Sequence, residues 1–393
     1  MYFFQDDIGL LVQHAQNNFW GFLILPQAEH FAPLLHALTY LEFQLFRLNF
    51  YGYFFVSLFL HFLNLIILCK ILTFLKLKQK LAILISLLFF INLTFVEPFL
   101  WFSAQGVILA NIFIALTFYF WLKNSPLTFI FLLAASFSFS TGLGLGLIFF
   151  LMNLFFGNFY PAFLFLGIIS FLIGPLVAGA NLGSVTPIIR HPINDLLLFS
   201  AFVIGGVGRG VFGRLVLPGF EPRHFETIKT LLSFIPFVLI LSFVFKLIIK
   251  GQKRRRNFLL SLTVLIIYPY VWAGAIRYQF GIKQALAERY AYTPLFFSVI
   301  LIGLLLKYLS DKKIFTNYKI IFSTVFLIFI LQIFNFYKKA VEFEIRPMQT
   351  KKYIEDLQIK IKNNMSIEDT PLPSYINQPL KVSDLYPILK PHK

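Results

Sequence analysis

The sequence predicts an all-α polytopic membrane protein, a bundle of about ten transmembrane helices with interfacial helices in the first external loop. Three observations carry that reading. Of 393 residues, 58% are hydrophobic and 13% are charged, against about a quarter charged in soluble domains. The apolar residues run continuously, as in Ile320–Phe336, and about nine to eleven stretches approach the ~20 residues that a span needs. The Lys and Arg residues gather in short loops between those runs, which is the positive-inside pattern. An outer-membrane barrel is excluded, because its strands would alternate apolar and polar residues.

Three basic segments orient the chain: Lys70–Lys80, Lys246–Arg256 and Lys307–Lys319. With all three in the cytoplasm, Phe50–Cys69 runs inward and Leu81–Val96 runs outward, so Glu97 faces the non-cytoplasmic side. Gly106–Leu122 then goes in, Phe258–Ile276 comes out to the loop Arg277–Tyr290, Ala291–Leu306 goes in and Ile320–Phe336 comes out. The expected organisation is an external loop over 1–48, a transmembrane domain over 49–337 and a polar tail over 338–393 on the non-cytoplasmic side. Gln27–Arg47, with His30, His36, Glu42 and Arg47, reads as one or two helices in the interface plane. The tail beyond Met365 is Pro-rich and reads as loosely ordered.

Two assignments stay open in the middle. Leu127–Phe156 is one long span or a hairpin broken near Ser138–Gly144. Leu196–Leu217 is Gly-rich and carries Arg209 and Arg214. Either the hairpin forms and Leu196–Leu217 lies outside as an interfacial or re-entrant element, or both segments cross once. The first is favoured, because two arginines near a bilayer centre cost several kcal/mol.

The net charge of +17 is no sign of a nucleic-acid partner, since the cations sit in membrane-flanking loops. The single Cys69 excludes an internal disulfide. No cleavable signal peptide is expected, for Asp6 and Asp7 stand where a basic leader segment would be.

The few acids are informative because of where they fall. Asp6-Asp7, Glu97-Pro98 and Glu288-Arg289-Tyr290 flank three different apolar runs, and the traced topology puts all three on one face of the membrane. Read without further context, Asp6-Asp7 is a solvated pair near a terminus. Glu97 is a membrane-edge acid, and such acids lean functional. Arg289 is a phosphate ligand or a cation reaching lipid headgroups. His61 with Asn64 reads as a hydrogen-bonding face toward a neighbouring helix. Gly205–Gly213 lacks the strand context and the Lys of a phosphate loop, and reads as a close-packing face. No His-based metal spacing is present.

Taken in order, several segments resemble the GT-C superfamily of integral-membrane glycosyltransferases. The likeness is to the branch of protein O-mannosyltransferases and tetratricopeptide-containing mannosyltransferases. It rests on Asp6-Asp7, His30-Phe31-Ala32-Pro33, Asn49-Phe50-Tyr51-Gly52-Tyr53 running to His61 and Asn64, Phe89 through Glu97 with Trp101, and Ala287-Glu288-Arg289-Tyr290 through Pro294. It covers roughly residues 5–310. A spanning helix precedes the paired acids in that family and none precedes Asp6 here, so a fragment, a mis-set start or a degenerate member is expected. Ser136–Gly144 stands where the family has a Lys-Glu turn.

The resemblance implies sugar transfer from a polyprenyl-phosphate-linked donor to a glycan, lipid or protein acceptor, on the non-cytoplasmic face of a bacterial plasma membrane. It makes Asp6 or Asp7 the base, with one facing the acceptor and the other holding loop structure or a cation. Glu97 would orient the loop or the acceptor. Arg289, with Glu288, Arg277, Lys283 and His30, would hold the donor phosphate. No metal site is predicted, although the aspartate pair leaves room for a divalent cation. Other readings are an O-antigen ligase or polymerase-like enzyme, a flippase or transporter of lipid-linked saccharides, and an inactive truncated relative.

Overall fold

The computed structural model describes residues 2–3, 6–25, 31–92, 96–178, 192–216, 227–311, 318–373, 376 and 380–389. The described residues are helices and turns with one isolated β-bridge, Pro371 to Lys381. The N-terminal part is α1 (Asp6–Gln16), α2 (Phe19–Leu23) and α3 (Pro33–Phe46). Asn18 starts α2 by accepting from Gly21 N at 2.7 Å, and Pro33 opens α3 at a position where its missing N–H costs nothing. Asn49 likewise caps α4 (Phe50–Phe74). The bundle continues with α5 (Gln79–Phe90), α6 (Val96–Leu100), a 3-10 turn at Phe102–Ala104, α7 (Gln105–Leu122), α8 (Leu127–Ser136), α9 (Leu145–Phe155) and α10 (Pro161–Ala178). Next come α11 (Pro192–Gly205), π-helical turns over Gly206–Gly213, α12 (Arg214–Val216), α13 (Thr227–Lys250) and α14 (Lys253–Arg277). The chain closes with α15 (Ile282–Ala285), α16 (Glu288–Asp311), α17 (Tyr318–Phe343), α18 (Ile345–Lys362) and α19 (Tyr386–Leu389).

Among the described residues, five helices are long and apolar enough to cross a membrane: Phe50–Phe74, Phe102–Leu122, Ile193–Gly213, Lys253–Phe280 and Glu288–Asp311. Five more are apolar but shorter, including Gln79–Phe90 and Leu127–Ser136. The expectation of about ten spans counted such segments whole. The stretch read as Leu81–Val96 ends its helix at Phe90. Twelve residues give a rod of about 18 Å, short of a ~30 Å hydrocarbon core.

The segment 127–156 forms the hairpin. Asn153 near the end of α9 accepts from Trp121 Nε1 at 3.2 Å, at the far end of α7, and Asn257 near the start of α14 bonds Phe155 O. The turn between the two helices reaches the other end, where Phe139 lies against Gly106. The basic segments also share one end: Lys307 Nζ donates to Leu75 O at 3.0 Å and Arg255 lies over the ring of Tyr308. Call this the basic end; Glu97 and Glu288 occupy the opposite one. The helix from Pro192 to Val216 packs against α13, α14 and α16, and two of its contacts mark that opposite end. Phe199 and Phe202 touch Gly274, and Arg214 Nη2 donates to Leu286 O at 2.9 Å.

A large apolar core runs through α4, α5, α7, α14 and α16. A second core lies outside it and joins the two ends of the sequence. Phe3, Ile8, Leu11, Phe22 and Phe43 pack with Ile354, Leu357, Ile376, Leu385 and Ile388. The tail is therefore not a loose extension over its described residues. Its scattered apolar residues complete a core that the first helices cannot close alone.

Candidate functional site

Two short sequence runs, Val96-Glu97-Pro98 and Glu288-Arg289, each begin a helix with an acid in its first turn. The first N–H groups of a helix lack intrahelical partners and carry partial positive charge, so they attract carboxylates. Here each acid serves the other helix. Glu97 N donates to Glu288 Oε2 at 2.9 Å, while Glu288 N and Arg289 N donate to Glu97 Oε2 at 2.8 and 3.2 Å.

Cations neutralise both carboxylates. Arg289 pairs with Glu97 Oε1, and its guanidinium lies 5.0 Å from the ring centroids of both Trp101 and Tyr290. Lys339 of α17 pairs with Glu288 Oε1, and Arg214 Nη2 stands 3.9 Å from the same oxygen. Glu288 and Arg214 are each 1% exposed. A buried charge persists only when paired and hydrogen-bonded, so this group ties α6, α12, α16 and α17 into one unit.

A polar network holds α16 below that group. His61 on α4 contacts Tyr292 OH at 2.7 Å and Phe90 O at 2.9 Å. Asn64 Nδ2 donates to Ile108 O at 3.1 Å and to Tyr292 OH at 3.3 Å, and Asn111 Nδ2 donates to Asn64 Oδ1 at 2.8 Å. The pairing of His61 and Asn64 with neighbouring helices is what their i, i+3 spacing predicts.

The aspartates divide. Asp7 is fully buried, and its Oδ1 accepts from both Ser103 N and Ser103 Oγ at 2.8 Å, fixing α1 to the turn before α7. Asp6 is open to solvent on one side. The protein around it raises its carboxyl above the ordinary value by desolvation, while the charges of Arg289 and Arg277 pull it down. Asp6 thus shares an electrostatic neighbourhood with the arginines that line a cavity of about 50 Å³. Ser140, Thr141, Trp272 and Tyr290 line it too. Thr141 Oγ1 and Trp272 Nε1 are buried there without a partner. The lining contains no carboxylate, and all its polar side chains bear a donor. Such a cavity suits an acceptor-rich or anionic group.

The residues expected from sequence fall into three sets. Asp6, Asp7, Glu97, Glu288, Arg289 and Arg277 gather at one end of the bundle. Glu288 points at Glu97, Lys339 and Arg214, so it caps and pairs and does not line the arginine cavity. Lys283 is exposed on α15. His30 lies outside the described residues. Among the described residues, no group of three or more His, Cys, Asp or Glu side chains is placed to hold a metal. Sequence reasoning missed Arg214, Lys339 and Ser103. Arg214 had a signal, since an arginine inside an apolar run needs a buried partner; Lys339 and Ser103 had none. No family model, no curated protein and no solved structure matches this chain.

Proposed function

We propose that this chain is an integral-membrane glycosyltransferase with a GT-C-like bundle of about ten spans. It takes a polyprenyl-phosphate-linked sugar and transfers it to an acceptor hydroxyl. Transfer occurs on the non-cytoplasmic face of a bacterial plasma membrane. The observation that carries this reading is that Asp6 lies within the field of Arg289 and Arg277, the two arginines of a cavity whose polar lining donates.

In this reading Asp6 accepts the proton as the acceptor oxygen bonds to the sugar's C1. The bond from C1 to the phosphate oxygen breaks, and the charge on the transition state resembles an oxocarbenium ion. The leaving phosphate keeps the electron pair, and Arg277 and Arg289 balance its charge. Glu97 holds Arg289 by its remaining oxygen, and Asp7 holds α1 in place through Ser103. Sugar transfer in membranes, from radiolabelled polyprenyl-phosphate hexoses, tests the reading. Wild type should transfer label and Asp6→Asn should not, with insertion unchanged. Equal transfer by both removes Asp6 from the mechanism; no transfer from any such donor removes the proposal.

A further inference from the structure

The helix α3 meets the first residue of α7 through one pair of side chains. Gln105 Nε2 donates to Glu42 Oε1 at 2.8 Å. Glu42 and Gln105 are both buried, and their other oxygens, Glu42 Oε2 and Gln105 Oε1, are buried without a partner. Two orphaned acceptors in one pair cannot satisfy each other while Glu42 is a carboxylate. One proton resolves both. With Oε2 protonated, Glu42 donates to Gln105 Oε1 while Gln105 Nε2 donates to Glu42 Oε1, closing a cyclic acid–amide pair. We infer that Glu42 is held protonated against Gln105, and that this pair is a positioning latch. It fixes the N-terminal helices, and with them Asp6, over the start of α7.

The surroundings agree with a neutral acid. From α1, Asp7 brings a negative charge toward this region, and Tyr53 of α4 faces Glu42. Arg47 lies at the end of α3, where it bonds Gln44 and covers Phe43. His14 of α1 and His36 of α3 are kept below their ordinary values by burial, so both are neutral at pH 7. The helix α2 adds no titratable group. Burial pushes Glu42 up to about 8, against a smaller lowering by the Gln105 hydrogen bond. The latch also lies two residues from Ser103, which holds Asp7, so two adjacent clamps join the N-terminal helices to the start of α7 and the turn before it.

The functional half of this inference rests on the proposed transferase reading; the proton on Glu42 does not. The decisive experiment is infrared difference spectroscopy of the full chain in lipid vesicles, titrated from neutral to alkaline pH, with wild type beside Glu42→Gln. Wild type should show a protonated-carboxyl band at neutral pH that vanishes with a midpoint near 8, and Glu42→Gln should lack it. Absence of the band at neutral pH, or its persistence in Glu42→Gln, overturns the inference whether or not the chain transfers sugar. In transfer assays, Glu42→Gln preserves a cyclic pair and should match wild type at neutral pH and outlast it at alkaline pH. Glu42→Ala should lose about tenfold. A Glu42→Gln protein as impaired as Glu42→Ala, though folded, overturns the positioning role.

Discussion

The carboxylate of Glu97 caps the helix that Glu288 begins, and the carboxylate of Glu288 accepts from the backbone N–H of Glu97. Two segments 191 residues apart thus complete each other's first turns. The exchange leaves one oxygen of each acid for cations, Arg289 on one side and Lys339 with Arg214 on the other. Removing one member of such a group strands a buried charge, which costs about 3–5 kcal/mol. Glu97→Ala should therefore lower the unfolding midpoint in detergent markedly. Glu97→Ala with Arg289→Met should recover part of the loss, since no unpaired guanidinium remains. A double variant that is no better than the single would show that Glu97 acts mainly as a cap.

Asp6 and Asp7 should separate cleanly. Asp7→Ala orphans Ser103 N and Ser103 Oγ and should cost about 1–3 kcal/mol of stability, whereas Asp7→Asn keeps an acceptor and should cost less. Asp6→Asn should leave the melting midpoint unchanged and abolish transfer. Thermal melts and transfer assays on the same preparations distinguish these outcomes.

The arginine field predicts the direction of a pH shift. In the proposed reaction Asp6 acts as a carboxylate, so activity should fall on the acid side as pH drops through its titration. Desolvation holds that titration above the ordinary aspartate value, and Arg277 lowers it. Arg277→Ala removes a lowering influence, so the acid limb should move to higher pH. A limb that stays in place would mean that Asp6 does not titrate in the assay.

The contact of α9 with α10 depends on two glycines. A Cβ on Gly146 would stand 2.5 Å from Gly167 N and from Phe163 O, both backbone atoms that cannot swing aside. Gly146→Ala should force the helices apart at a cost of about 1–3 kcal/mol. Gly157, with open space around it, has φ +78, so there any loss comes from backbone strain alone. Comparing the two alanine variants by thermal unfolding separates crowding from conformation.

Much of this arrangement was legible because it follows from local chemistry. The three basic segments marked one end, Ser138–Gly144 marked the break in the hairpin, and His61 with Asn64 announced a face that must find polar partners. The rest needed distance in sequence to become nearness in space. Lys339 looked like part of a solvated tail, and only the fold brings it onto Glu288. Glu42 looked like a charge on an interfacial helix; its burial depends on Gln105, 63 residues away. The tail beyond Met365 read as loosely ordered because it is Pro-rich; its core partners, such as Ile8 and Leu11, lie at the opposite end of the sequence.

The shared core of Ile8, Leu11, Ile376 and Leu385 sets an order on biosynthesis. The segment carrying Asp6 leaves the ribosome long before Ile376 and Leu385, which pack against it. While the helices between them form, α1 waits with part of its apolar face uncovered. A nascent chain cut short before position 370 would keep the Glu42–Gln105 and Asp7–Ser103 contacts but lack the cover that Ile376, Leu385 and Ile388 give α1, and quality-control proteases would meet it as an opened N-terminal segment rather than as a misinserted one.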